Sequence, residues 1–201
     1  MKKRIVVIGA SGTIGKHVVN ALQTENEIIS VGLTSGDLQV DISSAESIQK
    51  MYDQIGTFDA LICAAGDGHF GPLQEMTDKD FRKSVDSKLM GQVNLVLIGQ
   101  HYISTEGSFT LTSGNLGDDP HAWGASLSSV NLAIDGFVKG ASIELKNGVR
   151  INAVAPSVVE ESPIYFPFFP GTEPVAMKKV ANAYVKSVLG AQTGKVYLAS
   201  A

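Results

Sequence analysis

The sequence predicts an α/β fold, a three-layer doubly wound parallel sheet in a single domain spanning 1–201. Three observations lead there. An apolar strand runs into glycines at the start of the chain, strand-like and helical patterns alternate along it, and 201 residues with 44% hydrophobic composition suit one compact domain with a core of its own.

The first element is Ile5–Ile8, a run of four β-branched residues. It opens the stretch Ile5-Val-Val-Ile-Gly-Ala-Ser-Gly-Thr-Ile-Gly15, which passes at once into the helical pattern Ile14, Val18, Val19, Leu22. Gly9, Gly12 and Gly15 stand at G-x-x-G-x-x-G spacing. Glycine permits a tight strand-to-helix turn, lets backbone approach a pyrophosphate without a Cβ, and leaves the first helical N–H groups facing the anion. The stretch reads as a dinucleotide-binding turn, although a turn used for packing alone would draw on the same residues.

Further strand-like runs follow at 27–31, 38–42, 59–64, 107–112, 149–155 and 195–199, and helical patterns cover 14–24, 43–55, 77–102, 121–146 and 174–190. Strands alternating with helices argue for a parallel sheet with helices on both faces. One connection departs from this rhythm. Only Gly32 to Asp37 separate the second and third strands, too few residues for a crossover helix, so a loop must make the return.

The remaining composition narrows the function. A net charge of −4 with scattered lysines gives no basic stripe, which argues against a nucleic-acid partner. The apolar run behind Met-Lys-Lys-Arg is too short for a signal peptide, and no segment is long enough to span a membrane, so a cytoplasmic location is expected. Cys63, the single cysteine, lies in an apolar strand and reads as a buried, inert thiol. The four histidines show no ligand spacing with Cys63 or the carboxylates, and no metal is expected.

At Cys63-Ala-Ala-Gly66, at the Asp41 that closes the third strand, and at Arg150-Ile-Asn-Ala-Val-Ala-Pro156 the chain resembles the short-chain dehydrogenase/reductase family. Phe70-Gly-Pro-Leu and the terminal Thr193-Gly-Lys-Val-Tyr-Leu extend the resemblance over nearly the full length. It implies a Rossmann-like sheet with a nicotinamide dinucleotide across the carboxyl ends of the strands. The glycine turn, with Gly9, Ser11, Gly12, Thr13, Ile14 and Gly15, would hold the pyrophosphate. Asp41 and Ile42 would flank the adenine, Ala64, Ala65 and Gly66 would line the ribose and nicotinamide side, and Pro156, Ser157 and Val158 would cap the nicotinamide. At the end of the second strand, Gly32-Leu-Thr-Ser-Gly36 holds no carboxylate to repel a 2′-phosphate, and Thr34 and Ser35 offer hydroxyl donors. NADP(H) is therefore favoured over NAD(H), modestly, because no arginine stands there and Asp37 is close enough to reverse the preference.

The catalytic residues depart from the family. Its proton donor is a tyrosine followed four residues later by a lysine, on the helix after the fifth strand. Aligned with Trp123-Gly-Ala-Ser-Leu127, these positions hold Trp123 and Leu127, neither of which can do proton chemistry. Lys88, where the family commonly carries an asparagine, falls on the stripe Phe81, Val85, Leu89, Gln92, Val96 and is the first candidate replacement; a lysine that only snorkels outward is the other reading. Ser113, in Leu111-Thr-Ser-Gly114, resembles the family's substrate-binding serine, with Gly114 the alternative in a register one residue on. His69 and His121 are weaker candidates for supplying a proton. Tyr165, in Pro163-Ile-Tyr-Phe-Pro-Phe-Phe-Pro170, falls in the region of the family's substrate lid and reads as a stiff apolar lid or as a packed plug.

The long helix also carries a second apolar face, Met90, Val93 and Leu97, and the next helix offers Val130, Ile134, Phe137 and Ala141. A homodimer or homotetramer follows if these faces meet symmetry mates, as the resemblance implies. The leading expectation is an NADP-dependent oxidoreductase acting on a small-molecule carbonyl, alcohol or activated alkene, with Ser113 and Lys88 in its site. The alternatives are a catalytically silent NADP(H)-binding sensor or assembly protein, and a lyase or isomerase in which Lys88 or a histidine acts as base.

Overall fold

A computed structural model describes residues 2–200. Seven parallel strands form one sheet in the order β3-β2-β1-β4-β5-β6-β7: β1 Arg4–Ile8, β2 Glu27–Gly32, β3 Leu38–Gln39, β4 Phe58–Cys63, β5 Ile103–Thr112, β6 Arg150–Pro156 and β7 Val196–Ala199. The helices are α1 Gly15–Leu22, α2 Ala45–Ile55, α3 Asp78–Lys83, α4 Gly91–Gly99, α5 Ala125–Ala141 and α6 Met177–Leu189.

Side chains alternate across a strand, so each strand feeds two cores. Ile5 and Val7 of β1, with Ala60 and Ile62 of β4, pack against Val18 and Leu22 of α1 and Val180, Tyr184 and Val188 of α6. Val6, Ile8, Leu61 and Phe109 face the other way, onto Met51 and Tyr52 of α2, Leu95 and Val96 of α4, and Ile134 and Val138 of α5. Strands buried on both faces read as continuous apolar runs, which is why β1 and β4 stood out in the sequence. The doubly wound parallel sheet is therefore as expected.

Several boundaries differ. The third strand, expected over 38–42, pairs only through Val31↔Leu38 and Gly32↔Gln39. With so little ladder to align, the short return over residues 33–37 suffices. Asp37 locks it: its carboxylate accepts from the Ser30 amide at 2.8 Å and the Ser30 hydroxyl at 2.7 Å, bonds that hold its pKa below the usual range. The fifth strand starts at Ile103, with a register irregularity opposite Phe58–Ala60. The expected helix 77–102 is interrupted by a π-helical stretch, Ser84–Met90, between α3 and α4. That extra winding rotates the stripe read from a 3.6-residue period: Ser84 is fully buried while Phe81 is 37% exposed. The helix expected from 121 begins only at Ala125, because Trp123 holds a left-handed φ of 70° and Gly124 precedes the first turn.

Two buried hydroxyl contacts tie β5 to α6. Thr110 Oγ1 meets Ser187 Oγ at 2.6 Å, and Thr112 Oγ1 meets Tyr184 Oη at 2.6 Å. Burial pushes the Tyr184 phenol well above its ordinary pKa, so it stays neutral. Tyr184→Phe should remove one such bond and leave the Thr112 hydroxyl its bond to the Cys63 carbonyl. Urea unfolding should show a loss of about 1 kcal/mol with an unchanged m-value.

Candidate functional site

The strand order reverses between β1 and β4, and there the carboxyl ends of the strands open a crevice. Its back is the β1–α1 turn. Gly9 takes φ 79°, and a Cβ on it would stand 2.8 Å from the Ala64 carbonyl oxygen; one on Gly15 would stand 1.9 Å from the Gly9 carbonyl oxygen. The turn is thus folded against the end of β4 as tightly as backbone permits, and the start of α1 stays open to an anion. Ser11 Oγ meets Ser35 Oγ at 3.0 Å, which joins the turn to the end of β2. Thr13 and Thr34 lie exposed beside it. Asp41 is exposed too, and its carboxylate closes a turn by accepting from the Ser43 amide and hydroxyl. Ile42, next to it, has its side chain buried in the core against Gly91.

In front of the turn lies a cleft of 340 Å³. Ile14, Gly66, Lys88, Ser113, Pro156, Ser157 and Val158, all expected site residues, line it, and Ala64 and Ala65 lead into it from β4. Ser157 is fixed by its backbone N–H, which donates to the Ala199 carbonyl, and by Asn115 Nδ2, which donates to its hydroxyl at 3.0 Å.

Lys88 enters from the π stretch. Ser84, at the start of that stretch, accepts from the His69 amide at 2.8 Å and meets Ser126 Oγ of α5 at 3.0 Å. At its other end, Gln92 donates to the Lys88 and Thr112 carbonyls and accepts from the Thr112 amide at 2.7 Å. Held at both ends, the stretch packs the Lys88 stem over Gly66, where a Cβ would come within 3.1 Å of Lys88 Cα. Lys88 Nζ donates to the Ser113 carbonyl at 2.9 Å. Protein surrounds the lysine except where the cleft reaches it, so it is half-buried by surface area, and desolvation lowers its pKa to about 8 against the smaller opposing influences of Cys63 and Asp135. Water in the open cleft softens that shift, and a ligand filling the cleft removes the water.

Ser113 contributes differently from expectation. Its carbonyl holds Lys88, and its hydroxyl is buried without a completed hydrogen bond, on the side of Asp135. Burial raises the Asp135 pKa. The cleft wall at this point is Gly114, and a Cβ there would lie 2.7 Å from Asn131 Nδ2.

The alignment of Trp123 and Leu127 with the family's tyrosine and lysine is corrected by one turn. Trp123 lies outside the helix and outside the cleft, whereas Leu127 and Asn131, four residues apart on α5, both line the cleft. Asn131, missed in the sequence, therefore stands at the lysine position and Leu127 at the tyrosine position. Gly124 just before an apolar helical run was the available signal that the helix starts late. Asparagine and lysine have in effect changed places, with Asn131 on α5 and Lys88 on the opposing helix.

The two candidate histidines are spent elsewhere. The His69 ring lies beside Asp80, with Nδ1 3.8 Å from Oδ1, while its backbone ties Ser84 and Ser126; the His121 ring packs on Phe169 with centroids 4.5 Å apart, and neither residue lines the cleft. Burial pushes the Cys63 thiol up to about 11, as an inert thiol requires. Among the described residues no group of three or more His, Cys, Asp or Glu could hold a metal ion, and no helix is long and apolar enough to cross a membrane.

The aromatic segment lies over the cleft and leaves a space of 340 Å³ beneath it. It leaves and rejoins the fold at the Val159↔Val175 bridge, and its turn Pro163–Phe168 sets Tyr165 and Phe168 around Phe70, with ring centroids 5.9 and 5.2 Å away. Tyr165 and Phe169 face the cleft.

Residues 34–165 match the family model for short chain dehydrogenase. The chain is 24% identical over 184 residues to the uncharacterized oxidoreductase YmfI of Bacillus subtilis, covering 80% of this chain and 76% of that protein. The crystal structure of the protein lin1944 from Listeria innocua is 47% identical, with 98% of each chain covered and a TM-score of 0.96. A small-chain dehydrogenase solved in complex with NADPH shares the fold at 24% identity and a TM-score of 0.90, over 100% of this chain and 97% of that one. This chain spans between about half and three quarters of the length of the curated relatives it matches.

Gly15→Ala should show whether the turn's closeness is needed. The added methyl has no room beside the Gly9 carbonyl, so dinucleotide binding measured by calorimetry should fall by at least about tenfold and the melting temperature should drop, whereas Gly136→Ala, at an exposed helical position with open space around it, should leave binding unchanged.

Proposed function

Because this chain belongs to the short chain dehydrogenase family, we propose that it is an NADP(H)-dependent oxidoreductase acting on a small carbonyl or alcohol, with Lys88 as its proton donor. The observation that carries the reading is the Lys88 ammonium at the cleft floor, with a pKa of about 8 and one of its three N–H donors held by the Ser113 carbonyl.

A nicotinamide dinucleotide fits the residues present. Gly9, Gly12 and Gly15 leave the cradle its pyrophosphate needs, with Ser11, Thr13 and Ile14 along the same turn. Ala64, Ala65 and Gly66 lie toward its ribose and nicotinamide, Pro156, Ser157 and Val158 cap the ring, and Asp41 remains at the adenine end. Thr34 and Ser35 favour a 2′-phosphate, and the Asp37 carboxylate, though it keeps its charge, is engaged by Ser30 and so is less free to accept from the ribose hydroxyls of NAD(H). The cofactor, when bound, supplies or accepts hydride. The chain supplies the rest: Lys88 hands a proton to the oxygen that becomes a hydroxyl, Ser113 positions Lys88 through its carbonyl, and Leu127 with the aromatic lid keeps water from the reacting carbon.

A second reading, a silent NADP(H)-binding sensor or assembly protein, is favoured by Gly114, Leu127 and Asn131, which together leave no hydroxyl at the usual serine and tyrosine positions. A titration with NADPH and NADH, followed through Trp123 fluorescence and by calorimetry, should show saturable binding with NADPH preferred; no binding of either would end both readings. Carbonyl reduction should hold level below pH 8 and fall as Lys88 loses its proton above it, with alcohol oxidation showing the opposite slope. Lys88→Met should lower turnover by about 10²- to 10⁴-fold and abolish that pH dependence while NADPH affinity stays within a few-fold. Full turnover in Lys88→Met would remove the lysine from the mechanism.

We also propose a homodimer, or a tetramer containing it, through α4 and α5. Leu97 is 48% exposed, and a groove between the two helices is lined by Val96, Leu97, Phe137, Ala141 and Leu145. Light scattering should give at least twice the chain mass, and Leu97→Glu should shift it to the monomer. A monomeric parent protein would refute the assignment.

A further inference from the structure

Among the described residues Lys88 has no carboxylate in ion-pair contact. Its stem is packed over Gly66, its ammonium donates to the neutral Ser113 carbonyl, and among the described residues no carboxylate lies within 4.0 Å of its nitrogen. The titratable groups that act on it are Cys63 of β4, neutral at physiological pH, and Asp135 of α5, behind Ser113; Asp67, which also lines the cleft next to Gly66, is paired with Lys83 at 2.7 Å. Closing a cleft over an unpaired ammonium is costly, so a ligand that closes this one gains by bringing the missing charge. The dinucleotide does not bring it here. Its pyrophosphate belongs at the β1–α1 turn, and its nicotinamide ribose is neutral.

We propose that the cleft takes a 2-oxo carboxylate or the corresponding 2-hydroxy acid, with the carboxylate bound by Lys88. This deepens the oxidoreductase reading and rests on it. Two N–H donors of the ammonium remain free. In a 2-oxo acid the carbonyl oxygen and one carboxylate oxygen lie side by side on adjacent carbons, so a single ammonium reaches both: one donor holds the anion and the other addresses the reacting oxygen. The bound carboxylate also favours the charged lysine, which keeps it protonated when water leaves the cleft. The opposite wall is apolar. Leu116, Leu127, Phe70, Tyr165 and Phe169 receive the substituent on the far side of the carbonyl, so an aryl or branched alkyl chain suits it better than a polar one.

The test uses a matched pair of probes, 2-oxo-4-phenylbutanoate and 4-phenylbutan-2-one, which differ only in carboxylate against methyl. Binding to the full chain is measured by calorimetry, alone and loaded with NADP⁺, at pH 6.5 and 9.5. The oxo acid should bind roughly 10- to 100-fold more tightly than the ketone at pH 6.5. That preference should shrink at pH 9.5, where Lys88 is largely neutral, and should vanish in Lys88→Met. Equal affinities, or a preference that survives both the pH change and the substitution, would overturn the proposal. So would failure of the oxo acid to bind either form. Failure of the cofactor to bind, with the Lys88-dependent preference intact in the unloaded chain, would instead overturn the oxidoreductase reading and keep the carboxylate site. The pH arm works on the unaltered protein, so the outcome does not depend on the variant folding.

Discussion

Everything that the cleft does depends on how closely the β1–α1 turn is pressed against the end of β4. Gly15 packs on the Gly9 carbonyl and Gly9 on the Ala64 carbonyl, at separations that leave no room for a Cβ. This contact sets the start of α1 at the point where the strand order reverses, and it sets the floor from which Gly66 and Lys88 rise. The two cores flanking the sheet make the contact rigid. Ile5 and Val7 are held by α1 and α6, and Val6 and Ile8 by the layer of α2, α4 and α5, so β1 is fixed on both faces.

Upon that frame the chain places an unusual set of polar groups. Where the family resemblance implies a lysine on α5, Asn131 stands, and the positive charge comes instead from the opposing helix as Lys88. The change needs a different backbone to deliver it. The π stretch Ser84–Met90, clamped by Ser84 at one end and Gln92 at the other, turns a lysine from an apolar helix face into the cleft. Local winding of this kind costs hydrogen-bond geometry, and it persists because buried side-chain bonds hold both ends. Gly114 completes the exchange, since the space beside it is taken by the Asn131 carboxamide.

The aromatic roof gives the cleft its second character. Phe70, Tyr165 and Phe168 meet edge to face, and the segment is rooted in a two-residue bridge between Val159 and Val175. Three prolines stiffen it. An apolar roof over a cationic floor is an electrostatically asymmetric space, in which any charge is felt more strongly than in water.

Much of this was legible in the sequence. Hydrophobic runs, alternation and glycine spacing are local signals, and they determined the parallel sheet, the strands β1, β4 and β6, the turn at Gly9 to Gly15 and the singular position of Lys88 on an apolar stripe. Tertiary structure decided what local periodicity cannot carry. A 3.6-residue wheel has no term for a π stretch, so it put Phe81 on the buried face and overlooked Ser84. A left-handed Trp123 moved the start of α5, which shifted the helical positions facing the cleft by one turn and brought in Asn131. Ser113 was rightly placed at the end of β5, but the direction of its hydroxyl depends on α5 packing against it, and Ile42 was drawn into the core by the room that Gly91 leaves. In each case the residue type was visible and its orientation was not, because orientation is fixed by contacts between segments far apart in the chain.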